Sequence, residues 1–249
     1  MYHYYNGNHR QAINYYLEAL PYFTAILDTY YIAMMHNNIG AAYEYRKEPE
    51  NSISYFQSAL RYFTMLQDTL WIANVLNNIG IQLNIAIRHD ESIENFKKAR
   101  LLYVALQDSS MLAVINTNMS ECYRLKGDYQ KAKALNLEYL SAYKRFHTTD
   151  VLGNVHSSLA RTYLALGQLE ESKMHNDLAI QIRTENNFRF NLPNNYETES
   201  LIFEKEGDYK KALMAYKNFK GAQDSMFNKE KDERITQLII DICGTETTS

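Results

Sequence analysis

Proline is scarce in this chain, with three residues among 249 at positions 21, 49 and 193, and glycine is held to nine. So few breakers exclude an all-β or loop-rich fold and leave room for long helices. The two cysteines, Cys122 and Cys243, stand apart, which excludes a disulfide framework and a C-x-x-C metal or redox motif, and favours a reducing compartment. There is no apolar run of about 18 residues, so nothing in the sequence reads as a membrane-spanning helix. The opening MYHYYNGNHRQ lacks the apolar core of a signal peptide. A cytoplasmic location is therefore expected, with the periplasmic sensor region of a membrane protein as the alternative. An excess of one charge is also missing. Lysine and arginine total 26 against 29 acidic residues, and the absence of a basic block argues against a nucleic-acid-binding face.

Signatures of chemistry are absent as well. No phosphate-binding G-x-x-x-x-G-K-[ST], G-x-G-x-x-G or H-E-x-x-H occurs. The seven histidines, His3, His9, His36, His89, His147, His156 and His175, form no short-range ligand pair along the chain. His36 and His156 share a repeat phase three units apart, too far to share a metal ion. The expectation is a non-catalytic protein with no cofactor and no metal site.

What is present is a period. Ala12, Ser52, Ser92, Ala132, Ser172 and Ala212 follow one another at a fixed interval of forty positions, and Gly40, Gly80, Ser120, Ala160 and Ser200 keep the same interval. Two series of small residues locked to one period imply a helical repeat in which each unit is a pair of helices crossing closely at these positions. In such an array each unit contacts its neighbours and length adds units. Hydrophobic residues at 46% supply a core and exclude wholesale disorder. The fold class expected is all-α, a right-handed superhelical solenoid of antiparallel helix pairs.

First-type helices are expected near 29–46, 69–87, 109–126, 149–166 and 193–206, and second-type helices near 49–66, 89–106, 128–146, 168–184 and 208–222. A half-unit at 1–27 precedes repeats near 29–66, 69–106, 109–146, 149–184 and 193–222. The chain thus reads as beginning within a repeat. Asp28, Asp68 and Asp108 are expected N-caps of first-type helices. Pro49 suits the first turn of its helix, Pro193 marks the start of another after an irregular link, and Pro21 predicts a kink. Gly7, Gly127, Gly167 and Gly207 fall at the turn within a unit. Phe56, Phe63, Phe96 and Tyr103 are expected to fill the space between units, while many of the 21 tyrosines should lie at half-buried edges where the hydroxyl meets water or a partner. Residues 223–249 should form a closing helix and tail, with one apolar seam at Ile235, Leu238, Ile239 and Ile242 that caps the array or connects it to something further.

KGDYQKA at 126–132 and EGDYKKA at 206–212, with ALGQLEES at 165–172 as a looser version, resemble the tetratricopeptide repeat, and this resemblance covers about residues 6–222. The usual repeat of that family is shorter, at about 34 residues. The longer form found here resembles the arrays of bacterial peptide-pheromone receptors and kinesin light chains, in which an N-N pair of the first helix contacts peptide; here NNIG occurs at 37–40 and 77–80. YKNFKGAQDSMFNKEKDERI at 216–235 resembles the end of the repeat region of certain bacterial sensor kinases and repeat-linked transcription regulators. The resemblance implies a protein- or peptide-binding scaffold in signal transduction. The N-terminal helical bundle through which the pheromone receptors act has no counterpart here, so no enzymatic role is carried across.

The polar face of the first-type helices is asparagine-rich, and asparagine is a mediocre helix former. Its amide offers donor and acceptor together, which suits the backbone of an extended peptide. Asn37, Asn38, Asn74, Asn77, Asn78, Asn84, Asn118, Asn154 and Ser157, joined by Asn116, are read as lining a concave groove, with Arg124 and Arg161 able to pair with a carboxylate. Glu44, Glu121 and Glu204 lie near the same strip, so the groove is mixed in charge. The competing reading is a solvated face whose asparagines tie neighbouring repeats together. The function expected is a protein or peptide scaffold, the sensory or regulatory repeat region of a bacterial signalling protein. The rivals are a stand-alone adaptor and a receptor-like regulator of a response regulator.

Overall fold

The computed structural model describes residues 9–143, 149–188 and 191–225. All regular structure among them is α-helical apart from a single 3-10 residue. The helices are α1 (His9–Ala25), α2 (Thr29–Tyr45), α3 (Pro49–Met65), α4 (Thr69–Ile85), α5 (His89–Ala105), α6 (Ser109–Leu125), α7 (Tyr129–Tyr143), α8 (Thr149–Ala165), α9 (Leu169–Glu185) and α10 (Leu192–Glu206). Residues 209–225 are helical again. The expected helix positions match these bounds closely. The seam at Ile235, Leu238, Ile239 and Ile242 lies outside the described residues, as do Gly7, His3, His147 and Cys243.

Eight of these helices have 17 residues. Short turns of equal length separate most of them, so one helix and its turn fill half of the period seen in the sequence. One residue in each turn among the described residues has positive φ: Leu27, Lys47, Gln67, Ile87, Gln107, Gly127, Gly167, Asn187 and Gly207. The sequence placed glycine turns only within units, yet the turns between units have the same geometry. In each, the next residue's N–H reaches back five positions, as Asp28 N does to Phe23 O (3.0 Å), while the left-handed residue bonds three back, as Leu27 N does to Thr24 O (3.1 Å). This pair of bonds ends a helix while satisfying its last carbonyls. In several turns the residue that completes this closure also caps the next helix. Asp28, Asp68 and Asp108 accept from Tyr31 N, Trp71 N and Met111 N at 3.1, 3.1 and 3.0 Å, as expected.

The two series of small residues meet within each repeat. Ser52 Oγ donates to Gly40 O (2.8 Å), Ser92 to Gly80 O (2.6 Å), Ser120 to Ala132 O (3.0 Å), Ser172 to Ala160 O (2.8 Å) and Ser200 to Ala212 O (2.9 Å). One of the two crossing positions is serine in all five, and its hydroxyl bonds the other's carbonyl. Where the first position is glycine, a phenylalanine sits four residues after the serine. A Cβ at Gly40 would lie 2.8 Å from the Phe56 ring, and one at Gly80 would lie 2.6 Å from that of Phe96. Small residue and large ring are therefore one packing unit inside a repeat, so Phe56 and Phe96 pack within units where the sequence reading put them between units.

The chain divides into two compact units, Met1–Tyr143 and Lys144–Ser249. In the first, successive helices from α1 to α7 pack on one another, and α4 also touches α6. Its core gathers Ala33, Ile53, Phe56, Ala59, Phe63, Val75, Ile79 and Leu83, with a smaller cluster of Ala12, Ile13, Tyr16, Ile39 and Ala42 under α1. Tyr103, read as filling the space between units, is buried, and so is Tyr139. Their hydroxyls donate to Asn74 Oδ1 (2.6 Å) and Ser109 O (3.3 Å). Other tyrosines are more exposed than the edge position expected; Tyr22 is 75% exposed. Pro21 lies inside α1, and the helix continues past it to Ala25. Pro49 and Pro193 occupy first turns. In the second unit, α8 packs on α9, and α10 touches both.

Candidate ligand-binding strip

In the first unit the asparagine strip is carried by α2, α4 and α6. A helix phase shared by every repeat stacks equivalent side chains, so residues one repeat apart become neighbours. Asn118 Nδ2 donates to Asn77 Oδ1 (3.2 Å), and Asn77 Nδ2 reaches Asn78 Oδ1 (3.4 Å). Asn77, Asn78 and Asn118 thus form a ladder between α4 and α6. The equivalent step one repeat earlier would join Asn78 to Asn37, but Asn78 turns to Asn77 instead. Asn37, on α2, is 8% exposed, and its Oδ1 is buried with no hydrogen-bond partner among the described residues. Asn38 is half-buried on the same helix.

Other members of the predicted set are placed away from this ladder. Asn74 accepts the Tyr103 hydroxyl, and Asn84 Oδ1 meets His89 Nδ1 at 2.7 Å beside the α4–α5 turn. Asn116 is buried against α5, where it accepts from Arg100 Nε (3.1 Å), so the sequence placed it on the wrong side of α6. Arg124 is half-buried and held by both oxygens of Glu121, at 2.9 and 2.7 Å. Burial pushes the Glu44 carboxyl above the usual range.

In the second unit Asn154, Ser157 and Arg161 lie on α8, all half-buried. The first two converge on Arg183 of α9, which the sequence reading passed over. Arg183 is 2% exposed; its guanidinium donates to Ser157 Oγ (2.7 Å), Asn154 Oδ1 (2.8 Å) and Asn195 Oδ1. Asn195 Nδ2 in turn donates to Ser157 Oγ and to Asn176 Oδ1, each at 2.8 Å. The signal was there to be seen. Position 183 continues the series Phe63, Tyr103 and Tyr143, so a cation stands in an aromatic core phase. The step along the chain from Asn154 to Arg183 equals the step from Asn74 to Tyr103. In both repeats an asparagine on the first helix receives the polar tip of a buried side chain from the second.

The histidines need a correction. Spacing along the chain offered no pair, but the packing of α8 on α9 brings His156 and His175 together, Nδ1 to Nδ1 at 2.8 Å. No group of three or more His, Cys, Asp or Glu among the described residues could hold a metal ion. Cys122 is buried, its thiol pushed up by burial, and its sulfur lies 3.3 Å from Ser92 Oγ. No helix among the described residues is long and apolar enough to cross a membrane.

Three comparisons bear on this geometry. Residues 71–145 match the family model for the tetratricopeptide repeat. A search of curated proteins finds no match. Among solved structures, BtubC (BKLC) from P. vanneervenii is similar at a TM-score of 0.69 and 13% identity, covering 88% of this chain and 92% of that one. Aspartyl phosphate phosphatase F from Bacillus subtilis is similar at 0.68 and 15% identity, over 89% of this chain but 57% of that one. A Rap protein complexed with Competence and Sporulation Factor is similar at 0.66 and 17% identity, over 93% of this chain and 62% of that one. This chain thus spans about three fifths of the length of the last two proteins. At these identities the likeness is one of fold.

Proposed function

We propose, for a chain whose residues 71–145 are tetratricopeptide repeats within an all-α array of that type, that it is a non-catalytic scaffold binding an extended peptide or partner segment. Its strip on α2, α4 and α6 would take the ligand's backbone, with Asn37, Asn38, Asn77, Asn78 and Asn118 as the contacting amides. The observation that carries this reading is Asn37, whose buried Oδ1 has no partner among the described residues. A buried acceptor without a donor costs about 1–3 kcal/mol, and a peptide N–H would remove that cost. The Asn77–Asn78–Asn118 ladder supports it, because each amide retains capacity for a second hydrogen bond. A similar fold, the Rap protein, is known in complex with Competence and Sporulation Factor.

Asn74, Asn84, Asn154 and Ser157 serve internal bonds and would contribute to shape more than to contact. On this strip Arg124 would meet a ligand carboxylate only by sharing or leaving Glu121, and Arg161 belongs to the other unit. In this reading the chain is the sensory or regulatory part of a bacterial signalling protein, and ligand binding shifts the packing between repeats, which needs a different affinity for the two packings. No nucleic acid is bound, and no cofactor is used.

The test selects peptides from a random library on the wild-type chain, then measures their affinity and the melting temperature for the triple variant Asn37→Ala, Asn77→Ala, Asn78→Ala. The reading expects affinity to fall at least about tenfold, as loss of one net hydrogen bond or more produces. Intact affinity with a lowered melting temperature would assign these residues to the fold alone.

A further inference from the structure

The His156–His175 pair in the second unit has no part in the proposed strip. His156 comes from α8 and His175 from α9; they are 9% and 7% exposed. Their rings stack at 5.1 Å with 26° between planes, and Tyr163 stacks on the other side of His175 at 5.4 Å. Facing nitrogens 2.8 Å apart require one hydrogen between them. Two lone pairs at that distance repel, and two N–H groups collide. One ring must therefore be protonated at Nδ1 and the other at Nε2 when both are neutral.

We propose that this pair is a pH-sensitive latch that holds α8 against α9 while at most one of the two rings is charged and releases them when both are. The proton count fixes the behaviour. A first added proton goes to the Nε2 of the donating ring and leaves the N–H···N bond intact. A second must go to the accepting Nδ1, so the bond is lost and two cations face each other inside the helix seam. Titration then belongs to the pair, not to either ring.

Along the three helices packed here, the charged and titratable groups nearest in register are Glu171, Lys173 and Asp177 on α9, Arg161 and Tyr163 on α8, and Tyr196 and Glu199 on α10. Lys173 lies over the Phe203 ring, and Glu199 responds to burial, Asp177 and Lys173. Glu171 is the group whose charge acts on His175, favouring protonation; burial opposes it and prevails, so His175 titrates below the ordinary histidine range. The sign follows. A folded-state pKa below the unfolded one means that the pair's contribution is present above the ordinary histidine pKa and lost as pH falls through the folded value. The Arg183 network joins the same two helices, so a loosened seam strains those bonds too.

Amide hydrogen exchange of the full chain, corrected for intrinsic rate, tests the latch at about pH 7.5 and about pH 5. Protection of residues 149–185 relative to α4, which carries no histidine, is expected to fall several-fold in the wild type between these two pH values. His156→Asn places there the residue found at the same phase in Asn116; it removes the second facing cation and should weaken this pH dependence, while buried His175 still titrates. Equal dependence in both chains, or none in the wild type, overturns the proposal. A second measurement needs no variant: nitrogen-15 spectra of the histidines should show opposite tautomers for His156 and His175 at neutral pH, with His175 titrating below an ordinary histidine. The same tautomer in both, or an ordinary titration, would equally overturn it.

Discussion

Adding one methyl group at Gly80 separates two effects that usually travel together. Gly80 is inside α4, and glycine in a helix interior costs about 1 kcal/mol relative to alanine. On propensity alone Gly80→Ala should stabilise the protein. The structure says otherwise, because a Cβ there would lie 2.6, 2.8 and 2.9 Å from three atoms of the Phe96 ring. That ring is 1% exposed and close-packed, so it has little room to retreat. Overpacking of a filled core costs about 1–3 kcal/mol, and contact with three ring atoms belongs in the upper part of that range. The net expectation is a loss of about 1–2 kcal/mol.

Phe96→Ala removes the obstacle and by itself should cost about 3–5 kcal/mol. In that background Gly80→Ala should turn stabilising by up to about 1 kcal/mol, giving a coupling of about 2–3 kcal/mol between the sites. Urea unfolding read through Trp71, the single tryptophan, suits the assay. It sits on the same helix, stacked on Phe63 at 5.1 Å, and reports the first unit. If Gly80→Ala stabilised both backgrounds equally, the close crossing would not be what selects glycine, and the packing argument would fail.

Ile87 has φ of 62° and is 78% exposed. A β-branched side chain in the left-handed region costs about 1–2 kcal/mol, and little packing offsets it, so Ile87→Gly should raise stability by about 1 kcal/mol; an unchanged urea midpoint would contradict this. Arg183→Met keeps the stem but leaves Asn154 Oδ1, Ser157 Oγ and Asn195 Oδ1 without their shared donor. A loss of about 2–3 kcal/mol in the second unit is expected by calorimetry, and a raised melting temperature would show that the buried charge costs more than its bonds return.

Much of this fold was legible because its constraints are local and repeat. A small residue at each crossing recurs in every unit since each pair of helices must approach by the same contact, and Asp28, Asp68 and Asp108 advertise caps by residue type alone. The turns at Leu27, Lys47, Gln67 and Gln107 were not legible as left-handed. Their strain is offset by the two backbone bonds each turn makes, which leave no mark on side-chain identity. Arg183 was missed for another reason. Read along its own helix it resembles an ordinary basic residue near a C-terminus, and only its phase against Phe63 and Tyr103 exposes it as a core position. His156 and His175 stand on different helices and meet only through the antiparallel packing of α8 on α9, which spacing rules for single helices do not address. The asparagines were found by type, but type alone could not separate Asn37, whose Oδ1 lacks a partner among the described residues, from Asn74, which is committed to Tyr103.

The most direct measurement locates a bound peptide on the side-chain amides themselves. In a nitrogen-15-labelled chain, the NH₂ signals of Asn37, Asn38, Asn78 and Asn118 are assigned by single substitution, and a library-selected peptide is then titrated in. The account predicts that these signals shift together and saturate with the peptide, while Asn74 and Asn84 move little. Shifts confined to the second-type helices α3, α5 and α7 would place the ligand on the other face and contradict the proposed strip.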